Sequence, residues 1–182
     1  VAIIRISGSE ASEVIKSLTS KEIPVPRMAT LRKINNINTS ELIDEGIIIW
    51  FPGPESYTGE DMAEIHVHGG KAVVLAVQNE ISKLKNCRLA EPGEFTKLAF
   101  QNGKINLLKA ESIGDLISAE TEIQRKQALK IMRGKSSEKF NQLREKWLKL
   151  LSLVEDKIEF PEEDISEESL KKLKKKATKD IN

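Results

Sequence analysis

The chain opens on VAIIRI, an apolar run holding one arginine and closed by Ser7-Gly8, a pattern that predicts a strand stopped by a turn. In SEASEVIKSL, Ala11, Val14, Ile15 and Leu18 recur at helical spacing, so a short helix should follow. Two prolines between Ile23 and Pro26 force an extended link. MATLRKI and LIDEGIIIWF then read as strands about the polar NNINTSE turn, and FPGPESYTG is a loop by its Pro and Gly spacing. MAEIHV alternates, with Ala63, Ile65 and Val67 on one face and Met62, Glu64 and His66 on the other, as a half-buried strand does.

Gly69-Gly70 breaks that strand. KAVVLAVQNEISKL predicts a helix whose Val73, Val74, Val77, Ile81 and Leu84 line one face. NCRLA fits a short edge strand, and EPGEFTKLAFQNGK a helix entered through Pro92 and ended by a left-handed cap at Asn102-Gly103. From Asn106 onward strand signals stop and amphipathic helix signals dominate, which places a boundary between residues 1–105 and 106–182. Phe140, Leu143, Trp147, Leu150, Leu151 and Val154 define a long helix expected to pack in a bundle and to stop at Pro161. SEESLKKLKKKATKDIN predicts a further helix, with Ser166 as N-cap, acids in its first turn and lysines downstream, as the helix dipole prefers.

Composition narrows the picture. In 182 residues, 39% hydrophobic content is enough for a real core, and a net charge of +1 with 31% charged residues is a mixed surface, so any RNA contact must be local. The lysine run of the last helix suits a solvated face better than a row of phosphate contacts. One cysteine, Cys87, excludes an internal disulfide framework and a Cys-rich zinc module. The longest apolar run, near Gly46 to Phe51, is too short to span a bilayer, so no membrane association is expected and the cytoplasm is the expected compartment. The first residue is Val and already sits in a strand-like run, which suggests a trimmed N-terminus.

Most of the chemically versatile residues lie in SYTGEDMAEIHVHGG. Glu64, His66 and His68 project from one strand face, a pattern that suits zinc or iron. Against a metal, His68 abuts the Gly pair and no fourth ligand is evident, so hydrogen-bonding histidines are favoured. Cys87 has no activating base nearby in sequence, and the GxxxxGK[ST] phosphate loop is absent, so no nucleophile and no GTP or ATP site is assigned. A small-molecule site fares better: Glu64 beside an apolar wall can accept paired N–H bonds from a planar heterocycle, while Arg5 and Lys104 meet an anionic end.

The strings VAIIRISG, WFPGPESYTGEDMAEIHVHGG, AEPGEFTKLAFQNGKINLLKAESIGDLISAET and IEFPEEDI, in that order, closely resemble the N-terminal half of the MnmE (TrmE) tRNA modification GTPase family. The resemblance runs from Val1 to about Ile165. It implies an α+β domain, a mixed sheet with helices similar to the tetrahydrofolate-binding domain of aminomethyltransferases, followed by the first part of an all-α segment. It further implies homodimerisation through the first domain, a partnership with MnmG (GidA), and modification of the wobble uridine of tRNA using a tetrahydrofolate one-carbon unit. By resemblance, Arg5, Glu64 and Lys104 contact a folate such as 5-formyltetrahydrofolate, and the sequence assigns no aromatic walls to that site. GTP, Mg and K would belong to a GTPase domain that these residues do not contain, so this chain should not hydrolyse GTP itself. A fragment, a split-gene product or part of a longer protein would each fit. Two rival readings are a stand-alone aminomethyltransferase-like enzyme and a dimeric scaffold that docks tRNA on its KKLKKK helix.

Overall fold

A computed structural model describes residues 1–159 and Lys175. The expected stop at Pro161 and the lysine-rich helix after it lie outside the described residues. The chain divides into two compact units, Val1–Ala110 and Glu111–Asn182.

In the first unit, β1 (Ala2–Ser7), β2 (Thr30–Asn35), β3 (Leu42–Phe51) and β4 (Met62–Val67) form one sheet in the order β1-β4-β3-β2. The class is the α+β one anticipated, but the sheet is not mixed: all three pairings among the described residues are antiparallel. β2 and β3 are joined by a short polar turn, whereas β4 returns across the sheet to lie between β3 and β1. That return sets β1 against a strand some sixty residues away and puts Arg5 opposite Glu64. Gly46 on β3 is required by this packing, because a Cβ there would run into the carbonyl oxygen of His66.

Helices α1 (Ala11–Thr19) and α2 (Lys71–Ser82) supply the apolar faces that cover one side of the sheet. Val14, Ile15, Leu18 and Val77 meet Ala63, Ile65, Val67 and Ile48 in a single core, as period two in the strands and 3.6 in the helices require. α3 (Glu94–Gln101) closes the unit. It starts after Gly93, which takes the left-handed φ of 79°, so Pro92 lies in the turn ahead of the helix and not at its first position. It ends as anticipated, with Gly103 at φ 68°.

Two expectations need correction. NCRLA is not a strand: Asn86 adopts a left-handed φ of 68°, and Arg88 then pairs with Glu94 in place of any sheet edge. Met62 does not share a polar surface with Glu64 and His66, since it is buried where its strand end meets Ser7 and Phe51.

α4 (Leu107–Ser118) is followed by α5 (Glu122–Met132) and α6 (Lys135–Glu159). α5 begins in a capping box: the Thr121 hydroxyl accepts from the Gln124 backbone N–H, and the Gln124 side chain accepts from the Thr121 N–H. α6 is the long helix the periodicity predicts. Of its stripe, Phe140, Trp147, Leu151 and Val154 are exposed, whereas Leu143 and Leu150 are half-buried.

Candidate functional site

The face of the sheet opposite α1 and α2 carries the predicted chemistry. Antiparallel register aligns Arg5 with Glu64 and Glu64 with Ile49, so the two charges lie side by side on adjacent strands. Arg5 Nε and Nη2 both donate to Glu64 Oε1, at 3.0 and 2.7 Å. The other oxygen, Oε2, lies 3.3 Å from His66 Nε2. Oε1 thus accepts two bonds and Oε2 one, and since a carboxylate offers about four lone-pair sites Oε2 has acceptor capacity left, in a side chain that is 16% exposed.

Two residues along each strand, on the same face, Ile3, His66, Ile47 and Leu31 form a row across all four strands. Its three aliphatic members are 55%, 40% and 62% exposed, so an apolar band runs beside the ion pair. Single exposed apolar residues are ordinary; here three share one sheet face, with His66 between Ile3 and Ile47.

Lys104 is placed differently. Its Nζ donates to the Pro54 carbonyl at 2.7 Å and its stem lies along Gly59, so it ties down loop 53–60 and does not join the Arg5–Glu64 pair. The loop is held at other points as well: Asn102 Nδ2 donates to Thr58 O at 2.7 Å, Gly53 N–H to Asp61 Oδ1 at 2.8 Å, and Ser7 Oγ to Glu60 Oε2 at 3.0 Å.

The two histidines separate. His66 Nε2 donates toward Glu64, whereas His68 Nδ1 and backbone N–H each donate to the Asp44 carboxylate at 2.8 Å. Burial pushes the Asp44 carboxyl up, but the bonds from His68 outweigh it and hold the group below the usual carboxylate range. Among the described residues no three His, Cys, Asp or Glu side chains are grouped to hold a metal ion. Cys87 is partly buried, and burial followed by the Glu10 charge pushes its thiol up, which weakens it as a nucleophile.

Two residues escaped sequence reasoning. The Arg5 guanidinium lies 5.9 Å from the ring centroids of both Tyr57, in the loop, and Phe95, on α3. Tyr57 sits inside the SYTGED string and Phe95 inside GEFTK, but only the fold brings them to one arginine. A cleft of about 570 Å³ runs along the free edge of β1, between that strand, the end of α2 and α3. Arg5 and Phe95 line it, whereas Glu64 and Lys104 do not, so the cleft and the ion pair share Arg5 alone of the three predicted residues.

The sequence of this α+β unit matches a known family. Residues 1–104 match the family described as GTP-binding protein TrmE N-terminus, and residues 107–182 match the MnmE helical domain. The chain therefore belongs to the MnmE (TrmE) family. It is 73% identical over 175 residues to a tRNA modification GTPase MnmE of Pelagibacter ubique, 44% over 171 residues to one of Rickettsia bellii, and 42% over 170 residues to the mitochondrial 5-taurinomethyluridine-[tRNA] synthase subunit GTPB3 of Danio rerio. These alignments cover 96%, 94% and 93% of this chain but 40%, 38% and 34% of the relatives. No helix among the described residues is long and apolar enough to cross a membrane.

Proposed function

We propose that this chain is the folate-binding, dimerising part of a tRNA modification GTPase, and that the whole protein acts with MnmG on the wobble uridine of tRNA, in the cytoplasm, using a one-carbon unit from a tetrahydrofolate. The first domain, residues 1–105, holds the ligand, and residues 106–182 begin the helical domain. One observation carries the reading: Glu64, positioned by Arg5 on one oxygen and by His66 on the other, stands on an open sheet face with acceptor capacity left over. A pterin offers adjacent N–H donors to that carboxylate, and a glutamate tail offers carboxylates to a cation.

In this scheme Glu64 accepts from the heterocycle, Arg5 orients Glu64 and balances charge, and Lys104 reaches the anionic end of the ligand when its bond to Pro54 exchanges. The ligand itself supplies the one-carbon unit. The exposed row of Ile3, Ile47 and Leu31 supports a second copy packing on this face, which would remove that apolar area from water at roughly 25 cal/mol per Å². The phosphate loop needed for GTP is absent from these 182 residues, so GTP, Mg and K belong to a GTPase domain elsewhere in the parent protein.

The test is calorimetric titration of 5-formyltetrahydrofolate into the 182-residue chain, with sedimentation to report its oligomeric state. Saturable binding by a dimer is expected. A chain that takes up no folate over a millimolar range would refute the ligand assignment.

A further inference from the structure

Arg5 is held by more than its carboxylate. Tyr57 and Phe95 come from separate elements, a loop and a helix, yet both ring centroids lie 5.9 Å from one guanidinium. A third contact joins the loop to the helix: the Tyr57 hydroxyl lies 3.0 Å from the hydroxyl of Thr96, the residue next to Phe95. The helix end that carries Phe95 is anchored in turn, because Glu94 pairs with Arg88 and accepts from the Glu91 backbone N–H at 2.8 Å. Neither ring belongs to the core. Tyr57 is 37% exposed and the Arg5 side chain 43% exposed, so solvent reaches both the clamp and the guanidinium that donates to Glu64.

We propose that Tyr57 and Phe95 form an aromatic clamp that holds the Arg5 guanidinium on Glu64 and serves as the wall against which a planar heterocycle stacks. The inference rests on the folate reading for its ligand, but the clamp stands on geometry of its own. Two rings facing one cation place their negative faces toward it, which favours Arg over Lys and limits the directions its N–H groups can take. With Nε and Nη2 directed at Oε1, Glu64 Oε2 is left for the ligand. A flat ring that donates there lies next to the same aromatic surface, whereas an open-chain anion gains nothing from it. The clamp therefore selects for the pterin end of a folate and not for its glutamate tail.

Tyr57→Ala, Tyr57→Phe, Phe95→Leu and Phe95→Tyr separate ring from hydroxyl. The first measurement is 5-formyltetrahydrofolate affinity by calorimetry; the second is the ¹⁵N NMR signal of the Arg5 Nε–H, assigned by its loss in Arg5→Lys. Loss of either ring should weaken the folate about tenfold, while Tyr57→Phe and Phe95→Tyr stay within about threefold of the wild type. The Arg5 signal should be displaced by ring currents in the wild type and both ring-preserving variants, and should collapse toward the free-arginine position in Tyr57→Ala and Phe95→Leu. Wild-type affinity in both ring-deleted variants would overturn the wall, and an Arg5 signal unchanged by them would overturn the clamp. If the wild type itself binds no folate, the folate reading fails while the NMR signal still decides the clamp.

Discussion

The two units of this chain invest their apolar residues differently. In the α+β unit, Val14, Ile15, Leu18, Ile48, Ile65 and Val77 are all fully buried, and the strands and helices that carry them face one another. In the helical unit, α6 is longer than any element of the first, yet Phe140, Trp147, Leu151, Val154 and Ile158 are exposed along it. A helix needs a complementary ridge as well as an apolar stripe before that stripe is buried. Apolar periodicity therefore reports which face wants burial, and contacts alone report whether it is achieved. The same distinction applies within the first unit, where one sheet face is the core and the other carries Arg5, Glu64 and a bare aliphatic row.

The contrast can be broken at its strongest point first. Ile65→Ala, in the centre of the sheet, should destabilise the α+β unit by about 3 to 4 kcal/mol in chemical denaturation, through lost burial and the cavity left behind. A loss below about 1 kcal/mol would mean that the core is not the source of stability. Next comes the buried acid Glu80, which accepts from Asn36 Nδ2, the Ile37 backbone N–H and Lys83 Nζ at 2.9, 3.1 and 2.6 Å, and so fastens the β2–β3 turn to α2. Glu80→Ala should cost about 2 kcal/mol and speed amide exchange of Ile37, whereas exchange unchanged at that amide would show that the turn holds itself. Because the Lys83 bond holds this carboxyl below its ordinary value of 4.5, against the opposing effect of burial, its contribution is complete above that value. It is lost as pH falls through the lower folded value.

A smaller effect is confined to the start of α3. Arg88 holds the Glu94 carboxyl down at about 2, so the contact persists above the ordinary value of 4.5 and is lost as pH falls toward 2. In Arg88→Ala, carboxyl ¹³C shifts should show Glu94 titrating close to 4.5; a value still near 2 would assign the effect to the Glu91 N–H instead. The smallest expected change is in the helical unit. Trp147→Ala, half-exposed, should shift the unfolding free energy of this chain by no more than about 0.5 kcal/mol, and a loss comparable to that of Ile65→Ala would show that the α6 stripe is buried in solution.

Much of the fold was legible because local pattern and final environment agree. Ala63, Ile65 and Val67 alternate into the core as their period requires, α1 buries the four residues its spacing selected, and Gly103 caps α3. What was not legible depends on distant partners. Arg5 and Glu64 could each be named from their strings, but their pairing follows from β4 returning beside β1, a matter of topology. Asp44 was unremarked because its strand reads as apolar, yet it determines what His68 does. NCRLA forms no strand because Asn86 takes a left-handed turn and Arg88 pairs with Glu94, a partner that its own string does not announce. Tyr57 and Phe95 lie on opposite sides of β4 and α2 in sequence, and no spacing rule joins a loop tyrosine to a helix phenylalanine.

The central claim is that Glu64 is the acceptor that reads the pterin, and Glu64→Ala puts it to the most direct test. Calorimetric titration of 5-formyltetrahydrofolate into this variant beside the wild type should show a loss of roughly 1.5 to 3 kcal/mol in binding free energy, the worth of a charge-assisted hydrogen bond. Equal affinity in the two proteins would contradict the account.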